Sequence, residues 1–115
     1  MSIIGHLING EIVTPDGPTA PVFNPATGAV QRHVALASTA TVKRAIDAAE
    51  AAFPAWRDTP PAKRARIMFR FKELLESNAQ HICRLIGEEH GKISHDAAGE
   101  LQRGIENVEY ACGAP

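Results

Sequence analysis

Apolar residues fall in short strand-like clusters up to Leu36 and recur at helical spacing from Val42 onward, so the period changes once, near Ser38. Leu7-Ile8 and Ile12-Val13 flank Asn9-Gly10-Glu11, and an Asn-Gly pair supplies the two positive φ angles of a type I′ hairpin turn. Thr14 to Pro18 is a loop by its Pro and Gly content; Val22-Phe23 then meets a second turn at Asn24-Pro25-Ala26-Thr27-Gly28, and Val30 to Leu36 is the returning strand. Ser38 or Thr39 caps a helix whose apolar stripe is Val42, Ala45, Ile46, Ala49, Phe53 and Trp56. Pro54 has no amide hydrogen and crowds the preceding turn, which predicts a stop or kink near Ala52. Thr59-Pro60-Pro61 restarts helix with proline in the first turn, and Ile67, Met68, Phe71, Leu74 and Leu75 form the expected buried face. A break at Ser77-Asn78 precedes Ile82, Cys83, Leu85 and Ile86, with Gly91 as the stop. The last helix carries Ala97, Leu101, Ile105, Val108 and Cys112 at spacings of 4, 4, 3 and 4 and runs close to Pro115. The expected fold class is therefore α+β, with short strands and turns over 1–37 and about four helices over 38–115.

Composition narrows the functional classes without choosing among them. A chain of 115 residues is long enough to form one domain that buries about two-thirds of its unfolded surface. The formal net charge of -1 creates no long-range field, so neither nucleic acid nor an anionic membrane is an expected partner. No apolar run approaches the roughly 20 residues of a membrane helix, and Met1 to Gly5 lacks the basic and apolar stretches of a signal peptide. A cytoplasmic location is expected. Cys83 and Cys112 have neither metal-knuckle spacing nor disulfide-scaffold density, and they read as reduced core thiols.

Four constellations resemble chemistry and are better explained as structure. Gly87-Glu88-Glu89-His90-Gly91-Lys92-Ile93-Ser94 imitates a phosphate loop, but three residues separate the glycines where four are needed, and Ile93 stands where a magnesium-binding hydroxyl belongs. A glycine ending one helix and a lysine near its terminal dipole account for it. Glu89, His90, His95 and Asp96 match no metal-ligand spacing and read as solvated residues at a helix junction. Cys83 and Cys112 lie on apolar stripes among Ile82, Ile86, Ile105 and Val108, whereas a nucleophilic thiol needs an electropositive, partly exposed setting. Lys63, Arg64, Arg66, Arg70 and Lys72, with Phe69 and Phe71 between them, read as the polar flank of a helix over a core.

Composition and spacing stop at a domain of a few strands and four helical segments; order along the chain goes further. Ile8-Asn9-Gly10-Glu11, then Val22-Phe23-Asn24-Pro25-Ala26-Thr27-Gly28, then Ala51-Ala52-Phe53-Pro54-Ala55-Trp56 resemble the opening of the aldehyde dehydrogenase superfamily. Pro60-Pro61-Ala62-Lys63-Arg64-Ala65-Arg66-Ile67 and Glu89-His90-Gly91-Lys92 extend the resemblance over essentially the whole chain. His90 before Gly91-Lys92, where most members have threonine or serine, is similar to the methylmalonate-semialdehyde dehydrogenases. So is the later stretch Gly99-Glu100-Leu101-Gln102-Arg103-Gly104-Ile105-Glu106-Asn107-Val108-Glu109-Tyr110-Ala111-Cys112.

That resemblance implies an enzyme that oxidises malonate or methylmalonate semialdehyde with NAD and passes the acyl group to coenzyme A, in valine, pyrimidine or inositol breakdown. It also implies that this chain is the N-terminal part of the α/β NAD-binding domain, cladding a doubly wound sheet that later segments supply. The family's oxyanion asparagine, its Gly-Ser turn under the pyrophosphate and its nucleophilic cysteine belong to those segments. No catalytic, cofactor-binding or metal residue is therefore assigned to residues 1–115, no cofactor is expected on this chain, and Cys112 is not the nucleophile. The expected partners are the rest of the parent enzyme and, because four apolar helix stripes have few strands to cover them, a second copy of the chain. The alternative is a natural truncated module that binds or pairs with other subunits.

Overall fold

The computed structural model describes residues 3–114, which form two compact units, Met1–Asp58 and Thr59–Pro115. Within the first lie strands β1 (Ile3–Ile4), β2 (His6–Ile8), β3 (Glu11–Val13), β4 (Thr19–Phe23) and β5 (Val30–Ala35), then helix α1 (Thr39–Asp58). The second holds α2 (Pro61–Ser77), α3 (Ala79–His90) and α4 (Ser94–Cys112). The unit boundary lies at Asp58 rather than at the change from strand to helix, because α1 packs against β2.

β2 and β3 form the expected hairpin, with Leu7 opposite Ile12 and Ile8 opposite Glu11. Asn9 at φ 52° and Gly10 at φ 79° give the two left-handed residues of the type I′ turn. The second sheet has the order β1-β5-β4, with β4 antiparallel to β5 and β1 parallel to it. Pro21 can sit in β4 because that strand is an edge, where a missing donor breaks no ladder bond. At the β4–β5 turn the Asn24 side-chain Oδ1 accepts from the Ala26 amide at 2.9 Å, and the Gly28 amide donates to the Asn24 carbonyl at 2.8 Å. The two-residue β1 is too short to leave a period in the sequence.

Ser38 caps α1 as expected, its Oγ accepting from the Thr41 amide at 3.1 Å. Pro54, however, neither stops the helix nor ends it at Ala52: α1 is assigned unbroken to Asp58. A proline removes one donor from a helix of 20 residues, and the last turn is held by Arg57 stacked 5.9 Å over the Phe53 ring and paired with Asp58 at 2.8 Å. The helix ends where Thr59 precedes Pro60, a position from which the helical region is disfavoured. Pro61 then opens α2, α2 and α3 meet at Asn78, and α3 closes on Gly91 at φ 84° with its amide bonded to the Gly87 carbonyl at 3.0 Å.

The interior is thin. Among the described residues Ile8 and Ala35 are the buried apolar residues of the first unit, and Ala97, Ile105 and Cys112 those of the second. The α4 stripe is the one that lies inward as expected, with Leu101 and Val108 half-buried between the buried positions. The stripes of α1 and α2 do not. Val42, Ile46, Phe53 and Trp56 are exposed, and so are Ile67, Phe71 and Leu74, so α2 has only Met68 and Leu75 of its expected face half-buried. Their spacing is helical and amphipathic, but a period says only that a face is apolar, and the three-helix unit covers just one side of α2.

Candidate functional site

Three polar groupings stand out. In the first unit, Asp16 accepts at Oδ2 from the Thr41 hydroxyl at 2.6 Å and the Ser38 hydroxyl at 2.7 Å, tying the loop after β3 to the first turn of α1. A Cβ on Gly17 would stand 2.6 Å from the Leu36 carbonyl oxygen, so glycine lets the loop approach the chain leading into α1 this closely. The hydroxyls of Thr41 and then Ser38 hold the Asp16 carboxyl below the usual carboxylate range, and its charge lies beside the positive end of the α1 dipole. Sequence reasoning missed this cluster, reading Thr14 to Pro18 as a plain loop. The partners lie 22 and 25 residues away, and nothing local to Pro15-Asp16-Gly17 signals them.

The cluster predicts a pH dependence. A carboxyl whose folded pKa is depressed stabilises the fold above its unfolded value, here near 3.8, and loses that contribution as pH falls through the lower folded value. Melts of the first unit's signal between about pH 6 and pH 2.5 should show Asp16→Asn melting lower than the natural chain at pH 6 and converging with it in acid. A constant gap at all pH values would remove the carboxylate from the argument.

In the second unit the glycine-lysine loop has become a helix end and a connection. Lys92 pairs with Glu100 across the start of α4, and Lys92 holds the Glu100 carboxyl below its ordinary value, with His90 adding a smaller pull. Gly87 and Gly91 serve the C-terminus of α3, not a phosphate cradle. Lys92, His95, Asp96, Glu100 and Arg103 line a shallow groove of about 480 Å³ beside the α4 N-terminus, where no side chain caps the helix. Among the described residues no three His, Cys, Asp or Glu side chains gather as a metal site would require.

A second groove, of about 690 Å³, is lined by Gln80, His81, Cys83, Arg84 and Ser94. Arg84 donates to His81 Nδ1 at 3.1 Å and pairs with Glu88 at 3.7 Å. Cys112 is buried on the inward stripe of α4 as expected of a core thiol; Cys83 is only half-buried. On α2, Arg70 is paired with Glu73 at 2.5 Å, and Lys72 reaches Glu76 at 2.6 Å and Glu109 of α4 at 3.2 Å. Glu76, then Glu109, raise the Lys72 pKa. The run of basic side chains thus contains a link between two helices. These groupings cap, pair and tether helices; none assembles a nucleophile, its base and an oxyanion pocket.

The family model for the aldehyde dehydrogenase family matches residues 12–115. The chain belongs to the aldehyde dehydrogenase family. It is 63% identical over all 115 residues to malonate-semialdehyde dehydrogenase of Pseudomonas aeruginosa, covering 23% of that protein. With malonate-semialdehyde dehydrogenase 2 of Oceanobacillus iheyensis the identity is 45% over 113 residues, again 23% of its length. Its fold matches the methylmalonate-semialdehyde dehydrogenase of Oceanimonas doudoroffii with a TM-score of 0.97 and 70% identity, covering the whole of this chain and 24% of that one. A Sinorhizobium meliloti protein assigned as a methylmalonate-semialdehyde dehydrogenase, solved in complex with NAD, matches at a TM-score of 0.95 and 42% identity over 98% of this chain and 23% of that one. The chain thus spans about a quarter of the length of the relatives it matches. Its short strands and four helices are part of the aldehyde dehydrogenase fold.

Proposed function

We propose that this chain is the amino-terminal segment of a cytoplasmic, NAD-dependent, CoA-acylating malonate- or methylmalonate-semialdehyde dehydrogenase, and that it is catalytically incompetent by itself. The observation that carries the reading is identity of 63% and 70% to two proteins so named, over the full length of this chain. His90 before Gly91-Lys92 supports the same subfamily, and the Sinorhizobium meliloti complex supports NAD as the cofactor. The chemistry requires a thiolate to add to the aldehyde, hydrogen bonds to the resulting oxyanion, hydride transfer to the nicotinamide, and a coenzyme A thiol to take the acyl group. The residues for those steps are expected in the three-quarters of the relatives' length that lies outside this match.

A chimera tests the reading: the first 115 residues of the Pseudomonas aeruginosa relative are replaced by this sequence. With malonate semialdehyde and NAD it should release NADH and, when coenzyme A is present, an acyl-CoA thioester detectable by mass spectrometry. A folded chimera that turns over other aldehydes but not this one, or that yields only free acid whether or not coenzyme A is added, overturns it.

A further inference from the structure

α2 presents an apolar arc nearly half its circumference wide, and the second unit covers only part of it. Met68, Lys72 and Leu75 form its half-buried face, with Lys72 reaching across to α4. Beside that face, Ile67, Phe71 and Leu74 stand 52%, 45% and 43% exposed at spacings of 4 and 3, one continuous open stripe edged by Arg66 and Arg70. A comparable open face exists in the first unit, where Leu7 and Ile8 of β2 and Val42, Ala45, Ile46 and Ala49 of α1 border a groove of about 610 Å³.

The total surface shows how much covering is missing. The chain exposes 8194 Å² at a mass of 12.3 kDa, whereas two compact bodies of half that mass would together expose about 7,400 Å² even without touching. The excess is of the order of 800 Å², the share each partner contributes to a standard stable interface. The relatives supply a candidate of the right size, since about three-quarters of their length lies outside the match.

We propose that the Ile67-Phe71-Leu74 stripe of α2 is the docking face for the remaining three-quarters of a malonate-semialdehyde dehydrogenase chain, able to bind it as a separate polypeptide. The proposal rests on the placement of this chain as an amino-terminal segment and is independent of the coenzyme A chemistry. Phe71 is the anchor: it is the largest apolar side chain of the stripe and lies at its centre, where aromatic residues carry most of an interface's energy.

The test is co-expression of this tagged chain with the Pseudomonas aeruginosa relative shortened by its first 115 residues, read by copurification and by the mass of the eluted complex. A 1:1 complex is expected, and Phe71→Glu should reduce the copurified partner at least tenfold. Phe71→Ala, with helical content checked by circular dichroism, should reduce it in the same direction if the charged variant does not fold. Gln102→Ala, on an exposed position of α4, should leave it within twofold. The proposal is overturned if the shortened relative stays insoluble or elutes alone, or if this chain pairs only with itself. It is also overturned if the complex forms and the Phe71 variants hold it as well as the natural chain does. Because the readout is mass, a stable complex lacking semialdehyde activity would sink the proposed substrate and leave the docking face standing.

Discussion

Purified chain incubated with malonate semialdehyde, NAD and coenzyme A should produce NADH no faster than buffer does. Enzymes of ordinary power accelerate their reactions by about 10⁶-fold or more, and the whole of that factor is expected to be missing. The reason is positional. Of its two thiols, Cys112 is buried on the inward stripe of α4, where an aldehyde has no access and a thiolate no compensating cation. Cys83 borders an open groove, but the His81 Nδ1 lining the same groove already takes a hydrogen bond from Arg84 and is not free there to act as a base. The glycine-lysine connection that could have cradled a phosphate is occupied in ending α3 and pairing with Glu100. Cys83→Ser and Cys112→Ser should accordingly leave the background rate where it was. Semialdehyde-dependent NADH release by homogeneous chain, abolished by either substitution, would show that a working thiolate exists in these residues.

Ile105→Ala should unfold much of the second unit. Ile105 is 5% exposed on the α4 stripe, two turns from Ala97 at 0%, and these are among the few buried positions of that unit. Truncating a buried isoleucine to alanine costs about 2–5 kcal/mol, made of lost apolar burial and of the cavity left behind. A unit of this size is stabilised by roughly 3–9 kcal/mol in total, so a single substitution removes a large share. Ile105→Val should cost about 0.5–1.5 kcal/mol. Phe71→Ala, although it deletes a larger side chain, should cost less than Ile105→Ala because half of Phe71 is already in water. Urea melts followed by helical ellipticity give the order directly. A Phe71→Ala midpoint lower than that of Ile105→Ala would mean that α2, not α4, carries the core.

Much of the local structure was legible in the residues. Asn9-Gly10 required the hairpin turn because few other pairs adopt two consecutive positive φ angles cheaply, and Ser38, Pro61 and Gly91 marked helix ends by satisfying, or by not needing, terminal hydrogen bonds. The α4 stripe was readable too, since small and branched side chains at spacings of 4, 4, 3 and 4 fit only one inward face. Family order along the chain gave the aldehyde dehydrogenase placement before any coordinate did. Local rules failed where the outcome depended on something distant or on a sum. Pro54 kept its helix because one lost donor is small against 20 residues and a Phe53–Arg57 stack beyond the expected break. The parallel pairing of Ile3-Ile4 with His33-Val34 joins segments about thirty residues apart and leaves no periodic trace.

The sequence by itself determined which segments become strands and helices, where each starts and stops, and that every helix has an apolar side. Those choices rest on backbone angles, terminal hydrogen bonds and spacing, all settled within a few residues. Only the tertiary structure decided which apolar sides are covered and which are left to water. It put Ala97, Ile105 and Cys112 inside, Ile67, Phe71 and Leu74 outside, and Asp16 onto a helix cap more than twenty residues away. Burial belongs to pairs of surfaces, and one face's pattern cannot state whether its complement is present.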